Sequence, residues 1–353
     1  MKESKNPYAI GFGIKPLKYI EQTEIIDEIV DEFNADYIQH PCFMLSGLRG
    51  SGKTVLMGTI GEKLKEDEDW IVIRLNPESD LLEDLAAKLY DTNKFIAQFI
   101  NAEVNLSKYG IGISVKSVPP AASIEAAVEK ILKKIKKEQK RLLVEIDEVS
   151  NNDRVKVLAH AFQSFVSEGL PIFLLMTGLY KNIKDLKDDD TITFLYRAEE
   201  RQMEPLNPTL IRNSYIKTLN ISEELGWELA VLTKGYPVAY QVAGKYMWET
   251  KKKEISEEFL AHFDAALARY VYKKIWSELS QKDRFFLSFI CTKDIMPVNE
   301  LLELTKQKKN EFTQYRERLI EKGVIEAVGY GKVSCTLPRF GEFVKRENPE
   351  VFG

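Results

Sequence analysis

MLSGLRGSGKT, residues 44–54, decides how the rest of the chain is read. Gly47, four residues, then Gly52, Lys53 and Thr54 match the spacing of a phosphate-binding loop, in which a strand runs into a glycine-rich turn and then into a helix. The flanks agree with that context. Cys42-Phe43-Met44-Leu45 reads as a buried strand, and Val55, Leu56, Thr59, Ile60 and Leu64 recur at helical spacing on one face. Glycines reach backbone angles closed to other residues, so the N–H groups of Gly47, Leu48, Arg49, Gly50, Ser51 and Gly52 converge on phosphate oxygens at the positive end of a helix. Lys53 then reaches the terminal phosphates, Thr54 offers its hydroxyl to Mg2+, and Val55 closes the candidate nucleotide-binding run.

The chain has 353 residues, too many for one ordinary core, and is expected to form two or three domains. Its 44% hydrophobic and 29% charged content excludes a disordered chain. No apolar run approaches the roughly twenty residues that span a bilayer, and MKESKNPYAI at the N-terminus has no apolar signal core, so a cytoplasmic protein without a membrane partner is expected. Cys42, Cys291 and Cys335 form no CxxC pair and read as reduced thiols. His40, His160 and His262 are scattered and read as satisfied or solvated side chains rather than zinc ligands. The net charge of -4 gives no overall bias toward nucleic acid, so a DNA contact has to come from a local basic patch.

Residues 21–34 place Ile25, Ile26, Ile29, Val30 and Phe33 on one helical face, and WIVIRLN (70–76) reads as a second strand. Residues 80–100 are expected to be helical, and AEVNLSKYGIGISVKSV to turn at Tyr109-Gly110 as a hairpin or pair of short strands. Residues 123–141 read as a helix with a lysine-rich outer face, solvated or facing nucleic acid. RLLVEIDEVS (141–150) follows as an apolar strand ending in Asp147-Glu148. Paired with the phosphate loop, it reads as the second nucleotide motif: Asp147 joins the Mg2+ shell with Thr54, and Glu148 polarises the attacking water. Glu145, inside that strand, is expected to face an edge, another domain or a basic partner. PIFLLMTGLY (171–180) is the next strand; Thr177 at its tip is placed either to hydrogen-bond the γ-phosphate or lytic water, or to satisfy its own turn. Arg197 and Arg201 come after it.

This order of motifs resembles an AAA+ ATPase of the branch that includes replication initiator-like and STAND-class proteins. The resemblance implies an α/β P-loop NTPase fold, a parallel sheet flanked by helices over residues 1–206, with a helical lid over 207–268. It extends to TKGYPVAYQVAGKYMWE (233–249), where Gly235-Tyr236-Pro237 opens a helix and Pro237 is implied to touch the adenine side of the nucleotide. NPYAIGFGIKPLKYI is similar to the start of bacterial relatives, through Asn6-Pro7-Tyr8, Phe12-Gly13 and Pro16. The Gly-Arg pair that usually follows is replaced by Ile20-Glu21-Gln22. Arg197 is implied to act as an arginine finger from a neighbouring copy, with Arg201 as the fallback, so a homo-oligomer or partner protein is expected.

Residues 269–353 read as a winged helix: three short helices, then VIEAVGYGKVSCTLP turning at Gly329-Tyr330-Gly331. From Lys306 to Arg346 ten basic residues stand against five acidic ones. Lys308, Lys309, Arg316 and Lys332 are the candidate contacts to double-stranded DNA. The combined expectation is Mg2+-dependent ATP binding and slow hydrolysis, with ATP and ADP driving a switch. Two rivals stay open: a STAND-type signalling or assembly scaffold that docks proteins, and a scaffold that holds ATP without turnover.

Overall fold

The computed structural model describes residues 5–11, 15–92, 104, 106–111 and 123–351. Two compact units result, one of Thr23–Ser46 and Lys53–Gln202, the other of Met1–Gln22, Gly47–Gly52 and Met203–Gly353.

The first unit is built on a five-stranded parallel sheet: β1 (Cys42–Ser46), β2 (Trp70–Leu75), β3 (Arg141–Ile146), β4 (Ile172–Gly178) and β5 (Glu199–Gln202), in the order β2-β3-β4-β1-β5. β1 and β4 are buried along their whole length, and β3 from Leu142 onward, as sheets covered on both faces require. The covering helices are α1 (Thr23–Asn34), α2 (Lys53–Leu64), α3 (Leu81–Thr92), α4 (Ile124–Lys137), α5 (Asp153–Ser167) and α6 (Tyr180–Lys187). Each buries its apolar stripe; in α4 this is Ala127, Val128, Ile131, Leu132 and Ile135, with lysines outside. Ser123 and Asn152 cap α4 and α5 through their side chains. Because β4 pairs with both β3 and β1, Thr177 lies beside Leu45, one residue short of the phosphate loop's approach strand end.

The loop expected to turn at Tyr109-Gly110 is a 3-10 turn, Ser107–Tyr109, closed by Gly110 at φ 74°. Its expected strands fall largely outside the described residues, as do residues 93–100 of the expected helix and Phe12-Gly13.

Glu145 is 3% exposed, not at an edge; its carboxylate takes Arg74 of the paired strand at 2.9 Å. Burial pushes its carboxyl up, partly offset by Arg74, and Oε1 has no hydrogen-bond partner among the described residues. Space for it exists because residue 61 of α2 is glycine: a Cβ there would overlap Oε1 and lie 3.2 Å from Val72 Cγ1.

The second unit begins its long segment with α7 (Pro208–Leu219), α8 (Glu223–Leu232), α9 (Pro237–Thr250) and α10 (Glu257–Leu267). Tyr8 packs edge-on against Tyr240, 5.6 Å between centroids, so the N-terminal strand of chain is pinned to this bundle. A π turn, Ala268–Tyr272, leads into α11 (Lys273–Ser277). Then come α12 (Gln281–Ile290), α13 (Val298–Thr305), α14 (Lys309–Glu321) and α15 (Phe340–Glu347), with a small sheet of β6 (Met296–Pro297), β7 (Ile325–Ala327) and β8 (Lys332–Cys335) in the order β6-β8-β7. The turn expected at residues 329–331 joins β7 to β8, whereas β6 has only two residues and no pattern to announce it. Tyr272, Trp276, Phe340 and Phe343 join α11 and α15 in one aromatic cluster. Among the described residues no helix is long and apolar enough to cross a membrane.

Gly61→Ala is expected to lower stability by about 1–3 kcal/mol through overpacking against Glu145. In a Glu145→Ala background the same glycine change should cost less than half as much. Urea unfolding of the four proteins measures both; equal costs in the two backgrounds would remove Glu145 as the reason for the glycine.

Candidate functional site

The sheet unit gathers Lys53, Thr54, Asp147, Glu148 and Thr177 through the ends of its elements. Lys53 opens α2 and is 8% exposed. Asp147 follows β3 directly. Thr54 Oγ1 donates to Asp147 Oδ2 at 2.8 Å, and Thr177 Oγ1 donates to Asp147 Oδ1. Glu148 N donates to Asp147 Oδ1 at 3.1 Å and to Thr177 Oγ1 at 3.2 Å. Both oxygens of the aspartate are therefore engaged. The Thr177 hydroxyl, fully buried, holds the acid and the backbone after it.

Glu148 itself is exposed and sits at φ 55°, a left-handed angle that costs a glutamate roughly 1–2 kcal/mol. Val149 N donates to Thr177 O at 2.8 Å, so the turn is fastened to the tip of β4 on two sides. Such strain held by its surroundings is common where a side chain must be aimed.

Residues 47–52 group with the helical unit. Gly50 and Gly52 stand at φ 75° and 92°, angles that require glycine. Tyr236 OH donates to Arg49 O, and a Cβ at Gly52 would come within 3.7 Å of Pro237 Cγ. Ser51 N donates to Leu48 O at 3.3 Å, while Ser51 Oγ is buried without a hydrogen-bond partner among the described residues. The Arg49 guanidinium is bound to Glu278 at 2.8 Å. Leu48 packs partly buried against the helical core, and Val55 is half-buried on α2.

Arg197 ends the 3-10 turn Thr193–Arg197 and is exposed. Arg201 lies within β5 and is held by Glu28 and Glu199. Its hydrogen bond holds the Glu28 carboxyl below the usual range. As a finger, Arg201 would first have to leave two carboxylates.

Lys308, Lys309 and Lys332 are exposed, and Arg316 is half-buried on α14. Four of the ten bases counted along residues 306–346 are answered by acids from elsewhere. Arg318 and Lys322 bind the fully buried Asp283 at 2.5 and 3.1 Å, and Arg339 and Arg346 bind Asp264 at 2.6 and 3.4 Å. Burial alone would raise the Asp283 carboxyl, but hydrogen bonds from Arg318, Ser280 N–H and Lys322 outweigh it and keep it below its ordinary value.

Sequence spacing missed Tyr236, Glu278, Asp264 and Asp283. Tyr236 was the variable residue of its tripeptide. Glu278 is 229 positions from Arg49, and no local signal links them.

Residues 269–344 match a family described as a domain of unknown function (DUF8462). No curated protein matches the sequence. Among solved structures, the ORC2 protein of Aeropyrum pernix, determined as ADPNP-ADP complexes, is 13% identical, with 96% of each chain covered and a TM-score of 0.57. Cdc6p of Pyrobaculum aerophilum is 12% identical, covers 97% of each chain and gives a TM-score of 0.49. The first likeness shows a shared fold, and the parallel sheet flanked by helices is the one expected from the loop and the acidic strand.

Thr177→Val should cost about 1–3 kcal/mol by leaving the Asp147 oxygen and Glu148 N–H without their hydroxyl. Thr177→Ser keeps the hydroxyl and should lose less than half as much. Denaturant midpoints decide it, and equal losses would make Thr177 a packing residue only.

Proposed function

We propose that the chain is a Mg2+-dependent ATPase whose ATP and ADP states act as a switch. The observation that supports this most is the Asp147 carboxylate held 2.8 Å from the Thr54 hydroxyl, directly after the lysine of a phosphate loop. The residues suit a metal-nucleotide. A hydroxyl, one carboxylate and substrate phosphates are what Mg2+ takes, and the loop adds glycines at positive φ and a buried, unanswered Ser51 hydroxyl.

Lys53 and the amides of residues 47–52 neutralise and orient the phosphates, Val55 supports the helix start, and Pro237 lies on the base side. Thr54 and Asp147 would hold Mg2+, which would supply charge neutralisation at the phosphates. Glu148 orients water, its backbone N–H fixed by Asp147 and Thr177. Thr177 keeps the acid in place. Arg197, exposed, serves a neighbouring copy as its finger, so turnover depends on assembly.

Residues 269–353 form a winged helix that contacts double-stranded DNA through Lys308, Lys309, Arg316 and Lys332. A second reading has support as well: Arg318 and Lys322 are spent on Asp283, while Glu317 and Glu321 are exposed on α14, which favours a docked protein over a polyanion. The three-part division at 206 and 268 belongs to this same reading.

Lys53→Ala should weaken ATP binding at least tenfold by calorimetry, whereas Glu148→Gln should keep affinity and lose about 10²–10⁴ in kcat. Wild-type heats with Lys53→Ala would end the nucleotide reading. On DNA, four phosphate contacts predict a slope of log K against log salt near roughly -3.6, reduced by about one in Lys332→Ala. Absence of any salt-dependent DNA affinity would favour the docking scaffold.

A further inference from the structure

Arg49 of the phosphate loop is bound well outside the loop. Arg49 donates to Glu278 Oε1 from Nε at 3.1 Å and from Nη2 at 2.8 Å, both residues lying in the helical unit. Glu278 is the residue after α11 and stands two before Ser280, the cap of α12. Lys274 Nζ lies 3.6 Å from the same carboxylate oxygen, and Lys322 Nζ donates to the Glu278 carbonyl at 3.2 Å. Residues 273–280 are thus a junction tied to the loop through the Glu278 side chain and to the last module of the chain through the Glu278 carbonyl.

The loop is also closed on itself. Ser51 N donates to Leu48 O at 3.3 Å, which occupies an amide of the kind a phosphate loop presents to its ligand.

We propose that Glu278 is a positioning residue of the phosphate loop that competes with the polyphosphate of a nucleotide for the Arg49 guanidinium, so that nucleotide binding frees the 273–280 junction. This rests on the nucleotide reading above. The argument is electrostatic. Arg49 carries the one cationic side chain in the sequence between Gly47 and Gly52, and a guanidinium binds phosphate oxygens and carboxylates with the same two-pronged geometry. A nucleoside triphosphate against the loop amides brings several negative charges to the neighbourhood of that cation. Sharing it with Glu278 would set two anions side by side.

Linkage gives the sign. A ligand that breaks an ion pair on binding binds more tightly when the pair is already absent. Side-chain exposures of 29% and 35% keep the pair modest, so the gain is about two- to fivefold and falls with salt.

The test uses the full chain, calorimetry with a non-hydrolysable ATP analogue and Mg2+, and hydrogen exchange over residues 273–290. At ~50 mM salt, Glu278→Gln should bind about two- to fivefold tighter than wild type, and at ~0.5 M salt the two should converge. Glu278→Asp should return toward wild type, and Glu278→Gln should have no effect in an Arg49→Ala background. Ligand-free Glu278→Gln should exchange across 273–281 as fast as nucleotide-bound wild type and respond no further to nucleotide. Equal affinities at low salt, or a nucleotide response at 273–281 that survives in Glu278→Gln, would overturn the proposal while leaving nucleotide binding intact. Wild type that binds no nucleotide would bring down both.

Discussion

One carboxylate shared by two hydroxyls sets the terms for the sheet unit. Asp147 takes Thr54 on one oxygen and Thr177 on the other, and the three residues come from the ends of β3, α2 and β4. These bonds form only in one register, with Leu45 beside Thr177 and Ile146 beside Met176. The strands cannot specify that register by apolar pattern alone. β1 and β4 are buried at every position, and a strand covered on both faces accepts a one-residue slip without exposing anything apolar. Polar residues at the strand tips do specify it, because a slip turns the buried Thr177 to the opposite face and takes its hydroxyl from the half-buried Asp147 carboxylate, a loss on the order of 1–3 kcal/mol.

The same rule governs the buried acids. Glu145 is answered by Arg74, Asp283 by Arg318 and Lys322, and Asp264 by Arg339 and Arg346. Each acid lies far along the chain from its bases. A charge count over a sequence window therefore overstates what the surface offers to a partner. Four of the bases of residues 306–346, Arg318, Lys322, Arg339 and Arg346, are answered by Asp264 and Asp283, which fall outside the window.

How much was legible follows from the range of each interaction. The phosphate loop, the apolar strands and the amphipathic helices are local patterns with periods of two or 3.6 residues, and α1, α2, α4, β2 and β3 appear where those patterns stand. The acid after β3 was legible because a buried strand ending in Asp-Glu has few other uses beside such a loop. What stayed hidden was long in range or short in length. Glu145 as an internal ion pair required knowing that β2 and β3 are neighbours and that Gly61 makes room. The two-residue β6 is shorter than any periodicity, and the 3-10 turn at Tyr109 carried the turn residues of a hairpin. Arg201 looked available in sequence because its partner Glu28 lies 173 positions earlier.

The tripeptide Gly235-Tyr236-Pro237 shows how a motif can hide its most informative residue. Gly235 is needed because φ is 70° and a Cβ would lie 2.7 Å from Leu206 O; Pro237 fits because the first residue of α9 has no bond to donate. Tyr236 is the free position in the pattern, yet it is buried and its hydroxyl donates to Arg49 O. Burial pushes its phenol up, so it remains a neutral donor at any working pH. The loop is thus held at residue 49 by contacts of different character: a neutral one at the carbonyl, indifferent to salt, and an ionic one at the guanidinium, which weakens as salt rises. Ionic strength separates their contributions without any change of sequence.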